Sequence, residues 1–408
     1  MRSYWVPALA FALLQGLGIG LFSVFGFFLK PLAEAFQARE AVIAIGLSLL
    51  VLVPALTGAL LGRLVDGVAM RRLLMSGVWI AMVFLGLLPL AQHTWQLGLL
   101  FLGFVVGIML YGPQATNVFL VRCYPHNQGR ALALAAVGVS LAAVVLPPVT
   151  GWLIGLVGWQ RSLQILALVL LLILSAAVRW GVPAEPAEST AASAGKAAPV
   201  DFSDPTVRAA LRHRAFWCVG IGFAGVQGLM TVSSLCFVPH FVLQGLSLEA
   251  AGGLVALGGA CGLAGKLWIA AQADRYRQHV RAMCMALTVL QILGWSLLVV
   301  SDSHAGMALA AALVGFSGGA SLPLFPFANA QYFAPATLGR INGAQMAFFL
   351  PFGLLAPPLA GYAFDSTGSY APAFIGIAAV NGLLLLLFAA LPPAGRGPTA
   401  EVLEASYS

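Results

Sequence analysis

Twelve apolar stretches follow one another along the chain, and each is long enough for a helix to cross the ~30 Å hydrocarbon core of a bilayer. They fall near 5–29, 41–61, 73–91, 96–119, 131–155 and 163–181, then near 215–239, 249–272, 282–301, 307–330, 341–364 and 373–392. Polar positions gather in the short connections between them. The one long connection, 182–213, carries Pro, Ala and Ser together with Glu185, Glu188, Lys196, Asp201 and Asp204. That composition cannot build a core and reads as a linker, with a short amphipathic helix near 205–213. The pattern predicts an all-α membrane protein of twelve transmembrane helices in two pseudo-symmetric six-helix bundles. The expected organisation is a bundle at 1–181, a cytoplasmic linker at 182–213, a second bundle at 214–392 and a cytoplasmic tail at 393–408. The N-terminal apolar run is too long for a cleaved signal peptide and lacks a small-residue cleavage site, so the first span is expected to stay.

Composition removes the soluble alternatives. Charged residues make up 8% of the chain, against about a quarter in soluble proteins. The 46 glycines and 23 prolines are tolerated inside membrane helices that pack on neighbours and do not signal disorder. The five cysteines are scattered and show no metal-ligand spacing, which excludes a disulfide scaffold. With both termini in the cytoplasm, sixteen Lys and Arg residues face that side and only Lys30, Arg39 and Arg161 face outward. This bias sets the orientation. The net charge of +7 then faces anionic lipid and implies no nucleic-acid partner. No nucleophile–base or metal-ligand set has plausible spacing, so neither an enzyme nor a cofactor site is expected. Gly16, Gly18 and Gly20 mimic a dinucleotide loop, but no strand precedes them and close helix contact is the better reading.

The two halves repeat. Gly129-Arg130, Pro147-Pro148 and Gly151 recur as Gly339-Arg340, Pro357-Pro358 and Gly361 at an offset of 210, and Pro113 recurs as Pro323. Asp66 recurs as Asp274. A six-helix unit duplicated in parallel orientation resembles the major facilitator superfamily of secondary transporters. Its loop signature is matched by Gly62-Arg63-Leu64-Val65-Asp66 with Arg71-Arg72, and departed from at Gly67, Ala69 and Met70. The resemblance implies a cytoplasmic gate of Arg63, Asp66, Arg71, Arg130, Asp274, Arg275 and Arg340. Gly112-Pro113-Gln114-Ala115-Thr116, Gly158-Trp159 and Asp365-Ser366-Thr367-Gly368 resemble the monocarboxylate and oxalate–formate branch.

One basic residue fits neither surface. Lys266 lies eight residues before Asp274, roughly 12 Å inside the cytoplasmic boundary at 1.5 Å per residue. An intramembrane lysine is costly and by default functional, although a long stem can also snorkel to the interface. The thirteen acidic residues fall in expected loops, span ends or tails, so the expected counter-ion is the substrate. Gly258, Gly262, Lys266 and Ala270 form a stripe of small residues that suits either helix contact or a cavity wall. In the branch it resembles, a basic residue of the eighth span binds carboxylate, which implies that role for Lys266. Gly262 stands where some proton-coupled relatives carry aspartate.

Mid-span polar groups supply the remaining substrate-site candidates, namely Gln15, Ser23, Tyr111, Gln114, Ser140, Gln227 and Ser321. Each serine can instead bond its own helix carbonyl. Asn117 and Gln345 sit nearer the cytoplasmic end, and His240 lies just past the seventh span. The function expected is alternating-access transport of a small organic anion, a monocarboxylate, by proton symport or anion exchange. The alternative is an exporter of a neutral or anionic drug-like compound. The chain is expected to be a monomer in a bacterial inner membrane, with lipid, the anion and protons as its partners.

Overall fold

A computed structural model describes residues 6–46, 48–49, 52–53, 69–123, 128–183, 208, 210–272, 275, 277–333 and 337–392. These residues are almost entirely helical. The first half holds α1 (Val6–Gly20), α2 (Phe25–Ala35), α3 (Met70–Leu87), α4 (Thr94–Tyr111), α5 (Pro113–Cys123) and α6 (Gln128–Ala176). The second holds α7 (Arg214–Leu243), α8 (Leu248–Gln272), α9 (Val280–Val300), α10 (His304–Asn329), α11 (Leu338–Met346), α12 (Phe349–Thr367) and α13 (Ala371–Ala389). Residues 40–46 are also helical and belong to the second predicted span, most of which lies outside the described residues.

Among the described residues, ten helical runs are long and apolar enough to cross a membrane. One of them, Val137–Gly181, has 45 residues and a length of roughly 68 Å, which is enough for two crossings. The chain reverses inside it at Gly158, whose φ of 78° and ψ of 167° suit a residue without a side chain. The Ser162 hydroxyl then donates to the Gly158 carbonyl at 2.6 Å. The fifth and sixth predicted spans are therefore both present.

Two further predicted spans are interrupted. The fourth, expected to be continuous over 96–119, breaks at Gly112, which is extended (ψ −169°) because the following Pro113 disfavours helical geometry before it. Pro113 then opens α5, where its missing N–H costs nothing. The eleventh span, expected over 341–364, is divided into α11 and α12. α12 ends on Gly368 in the left-handed region (φ 71°). The expected linker and tail fall largely on 184–207 and 393–408, outside the described residues.

The chain divides into two compact units, Met1–Ala198 with Ser234–Ala256, and Pro199–Ser233 with Leu257–Ser408. In the first, α1 lies along α6, where Gly16 and Gly138 let the two backbones meet. α3 meets α4 through Gly77 and Gly107. In the second unit, α8 crosses α10 with Gly258 on Gly315 and Gly262 on Gly319. A methyl group on Gly315 or Gly319 would overlap the carbonyl group of the facing glycine. Small residues dominate such seams because lipid already solvates apolar side chains, leaving close dispersion contact to hold helices together.

We predict that Gly319→Val destabilises the purified protein by at least ~1–3 kcal/mol, the usual cost of overpacking. Gly376→Ala, with nothing within 4 Å of an added methyl, should leave the melting temperature unchanged. Thermal unfolding in detergent checks both.

Candidate functional site

In the first unit, Gln15 lies two-thirds along α1 and is buried. Its amide donates to Thr116 Oγ1 at 2.9 Å and to Asn117 Oδ1 at 2.6 Å, both on α5. Thr116 is held by its own hydroxyl, which donates to the Gly112 carbonyl at 2.8 Å. The break before Pro113 thus sets the acceptors that meet Gln15. Asn117 remains exposed at the edge of this cluster.

Tyr111, the last residue of α4, is fully buried against Gly18 of α1, where a methyl would stand 3.1 Å from Cε2. Its hydroxyl has no hydrogen-bond partner among the described residues. Ser23 occupies the 3-10 turn Leu21–Val24 between α1 and α2, and its hydroxyl donates to the Gly20 carbonyl at 2.6 Å. That is the local back-bond, with no reach to a neighbouring helix. Ser140 is buried within α6. Gln114 lies in α5, but its side chain is outside the description.

In the second unit, Gln227 of α7 donates to Ser321 Oγ at 2.8 Å and to the Gly318 carbonyl at 3.1 Å, both on α10. Ser321 back-bonds to Gly318 at 2.8 Å. α7 and α8 therefore meet different faces of α10. Lys266 is half-buried on α8, one turn beyond Gly262. The contacts of Gly258 with Gly315 and of Gly262 with Gly319 make α8 and α10 parallel here, and Gly265, next to Lys266, meets the Phe316 carbonyl and Ala320 of α10. Ala270, the last member of the small-residue stripe, is exposed. The stripe is thus a contact seam at Gly258 and Gly262, continued by Gly265, and Lys266 stands beside it.

The gate candidates are spread differently. Arg71, in the first turn of α3, donates from Nη2 (2.6 Å) and Nε (3.2 Å) to the Val182 carbonyl, just past the end of the sixth span. Arg275 and Arg340 are exposed. Arg63, Asp66 and Asp274 lie outside the described residues, as does the Arg130 side chain.

Sequence reasoning overlooked one polar cluster, at Gln291, and in a second singled out Gln345 but not its partner Asn329. Trp295 Nε1 donates to Gln291 Oε1 at 2.8 Å, and the Gln291 amide meets Met230 Sδ at 3.1 Å. Gln291 is a mid-span amide of the ninth span, a signal present in the sequence. Asn329 donates to Gln345 Oε1 (2.6 Å) and Asn342 Oδ1 (2.7 Å), while Gln345 donates to the Phe216 carbonyl at 2.8 Å. These bonds join the start of α7 to the end of α10 and to α11. A separate cavity of about 220 Å³ in the first unit is lined by apolar groups such as Phe25, Leu29, Ile43, Phe101 and Leu235. It includes none of the candidate substrate residues. No group of three or more His, Cys, Asp or Glu that could hold a metal occurs among the described residues.

Duplicated six-helix halves, glycine seams and mid-span polar links define a polytopic transporter of solutes. Residues 11–301 match the Major Facilitator Superfamily, and the chain belongs to it. It is 26% identical over 388 residues to monocarboxylate transporter 11 of Mus musculus, covering 91% of this chain and 83% of that protein. It is 24% identical over 352 residues to the MFS transporter asaE of Aspergillus flavus, covering 83% and 75%. Among solved structures, the nucleoside transporter NupG superposes with a TM-score of 0.75 at 14% identity, covering 96% of this chain and 99% of that one. A bacterial homologue of the human lysosomal transporter Spinster, inward-facing and occupied, gives 0.73 at 15% identity, with 96% of each chain covered.

Gln15→Leu is expected to lower the melting temperature, because two cross-helix hydrogen bonds worth on the order of 0.6–1 kcal/mol each are lost. Asn117→Ala should cost less, since Thr116 still accepts from Gln15. Unfolding curves of the two variants, compared under one condition, make the test.

Proposed function

We propose that this protein is a secondary active transporter of small organic anions, with monocarboxylates as the substrate class and Lys266 as the group that binds the carboxylate. The observation that carries the proposal is the place of Lys266, half-buried inside a membrane-spanning helix and beside the α8–α10 seam. An ionisable side chain at that depth is costly and by default functional. The likeness to monocarboxylate transporter 11 points to the same class of cargo.

Gln227 and Ser321, joined on the other face of α10, supply polar contacts that orient the cargo from the second unit. Gln15 with Asn117 and Tyr111 supply them from the first. Transport proceeds by rocking of two six-helix halves, with Arg63, Asp66, Arg71, Arg130, Asp274, Arg275 and Arg340 serving the cytoplasmic gate. Lys266 also carries the proton that accompanies the anion, so that ammonium and carboxylate cross as a neutral pair. The rival coupling mode keeps the lysine charged throughout and exchanges one anion for another. The protein acts in a bacterial plasma membrane with both termini in the cytoplasm.

Proteoliposome uptake of a panel of small carboxylates should detect transport that Lys266→Gln reduces at least tenfold. Neutral and cationic drug-like compounds should not be carried. Transport of the neutral compounds, unaffected by Lys266→Gln, would replace the anion reading with an exporter. Lys266→Arg should keep anion exchange and lose dependence on a proton gradient, because arginine does not give up its proton. Full proton dependence in Lys266→Arg would rule out the lysine as the proton carrier.

A further inference from the structure

Two ionisable side chains are buried at the outer end of the first unit. Glu40 opens the helical stretch 40–46 and is 5% exposed. His240, in the last turn of α7, is also 5% exposed. Sequence reasoning puts Glu40 among the loops and span ends and His240 just past the seventh span. In the structure α7 continues to Leu243, which draws His240 into the helix and out of solvent.

Their elements meet. Ile43 and Gly46 of the one and Leu235 of the other line the same apolar cavity. The fully buried Cys236, next to Leu235, lies within the electrostatic reach of the Glu40 carboxylate. The stretch from Glu40 runs inward and α7 runs outward, so their outer turns lie side by side. Glu40 is one turn outward of Ile43, and His240 is one turn outward of Cys236 on the same helix face. The Phe241 ring flanks the imidazole, with centroids 5.8 Å apart.

The remaining charged groups described at this end point elsewhere. Lys30 and Glu34 of α2 are exposed and lie 4.0 Å apart. Arg39, His93, Arg161 and Glu249 are exposed as well. Glu40, His240 and Cys236 are thus the buried titratable groups described at this end of the unit.

We propose that Glu40 and His240 form a proton-binding site, filled from the outer aqueous phase, that ties the outer end of the second span to the outer end of α7. With the proton bound, imidazolium and carboxylate neutralise each other in a setting where an isolated charge is costly. Without it, the carboxylate loses its cation and the two elements loosen. Imidazole is the side chain whose ordinary titration falls between about pH 5 and 8, so the site responds to physiological changes in external pH. It stands independently of the cargo carried at Lys266.

The test is the melting temperature of the purified protein in nanodiscs between about pH 5 and 8, with no cargo present. The wild-type protein should melt higher at the acid end of that window. Glu40→Gln and His240→Gln should each remove at least half of that variation, and the double variant should remove no more than the larger single one. Glu40→Asp should retain the titration. A wild-type pH profile in both single variants, or independent effects that sum in the double variant, overturns the site. Should a glutamine variant fail to fold, pH-jump infrared difference spectra of the wild-type protein decide. Carboxylate and imidazole bands that change together support the site, and a carboxylate band that titrates alone overturns it.

Discussion

Inside a bilayer an apolar side chain gains little by leaving lipid for a neighbouring helix, so helices must hold one another by close approach of their backbones. That constraint governs this protein. Gly16 on Gly138, Gly77 on Gly107, Gly258 on Gly315 and Gly262 on Gly319 each bring two helices nearer than side chains would allow. The opposite faces can then be given over to lipid, as Leu267 and Trp268 show by remaining exposed on α8. The seam between α8 and α10 also fixes the depth and rotation of Lys266, because the lysine follows Gly262 by one helical turn.

Sequence made the spans legible because their lengths are imposed from outside, by bilayer thickness. The breaks within spans were harder to place. Gly112-Pro113 reads equally as a kink or a stop, and only the extended conformation of Gly112 shows that it is a stop. Its counterpart by repeat, Pro323, lies inside a continuous helix, so one residue type at corresponding positions has two structural outcomes. The small-residue stripe of α8 was ambiguous for another reason. A period of four small residues serves a cavity wall and a helix contact alike. The partner stripe, Gly315 and Gly319 on α10, is present in the sequence, but pairing two stripes requires knowing which helices are neighbours.

The repeat runs deeper than the loop motifs that reveal it. In each half an amide from the first helix, Gln15 or Gln227, donates to a hydroxyl of the fourth span, Thr116 or Ser321. In both cases the hydroxyl also donates to a carbonyl of its own helix or its cap, at Gly112 or Gly318. Such links are modest individually, because an amide in lipid finds some partner in any state. Their value is directional: each sets the rotation of a helix about its axis. Ser23 and Ser321 both back-bond locally, yet Ser321 remains able to accept from Gln227.

Charge is the scarcest material in this chain, and its placement carries the functional argument. Most ionisable groups mark the two surfaces and set orientation. Lys266 departs from that rule, half-buried on α8 one residue beyond Gly265, whose position meets the Phe316 carbonyl and Ala320 of α10. A helical side chain leans toward its own N-terminus, here back toward the turn of Gly262. Under the proposed function that place offers an ammonium to a carboxylate cargo, and charge-assisted hydrogen bonds, roughly twice as strong as neutral ones, would favour the cargo over any neutral partner.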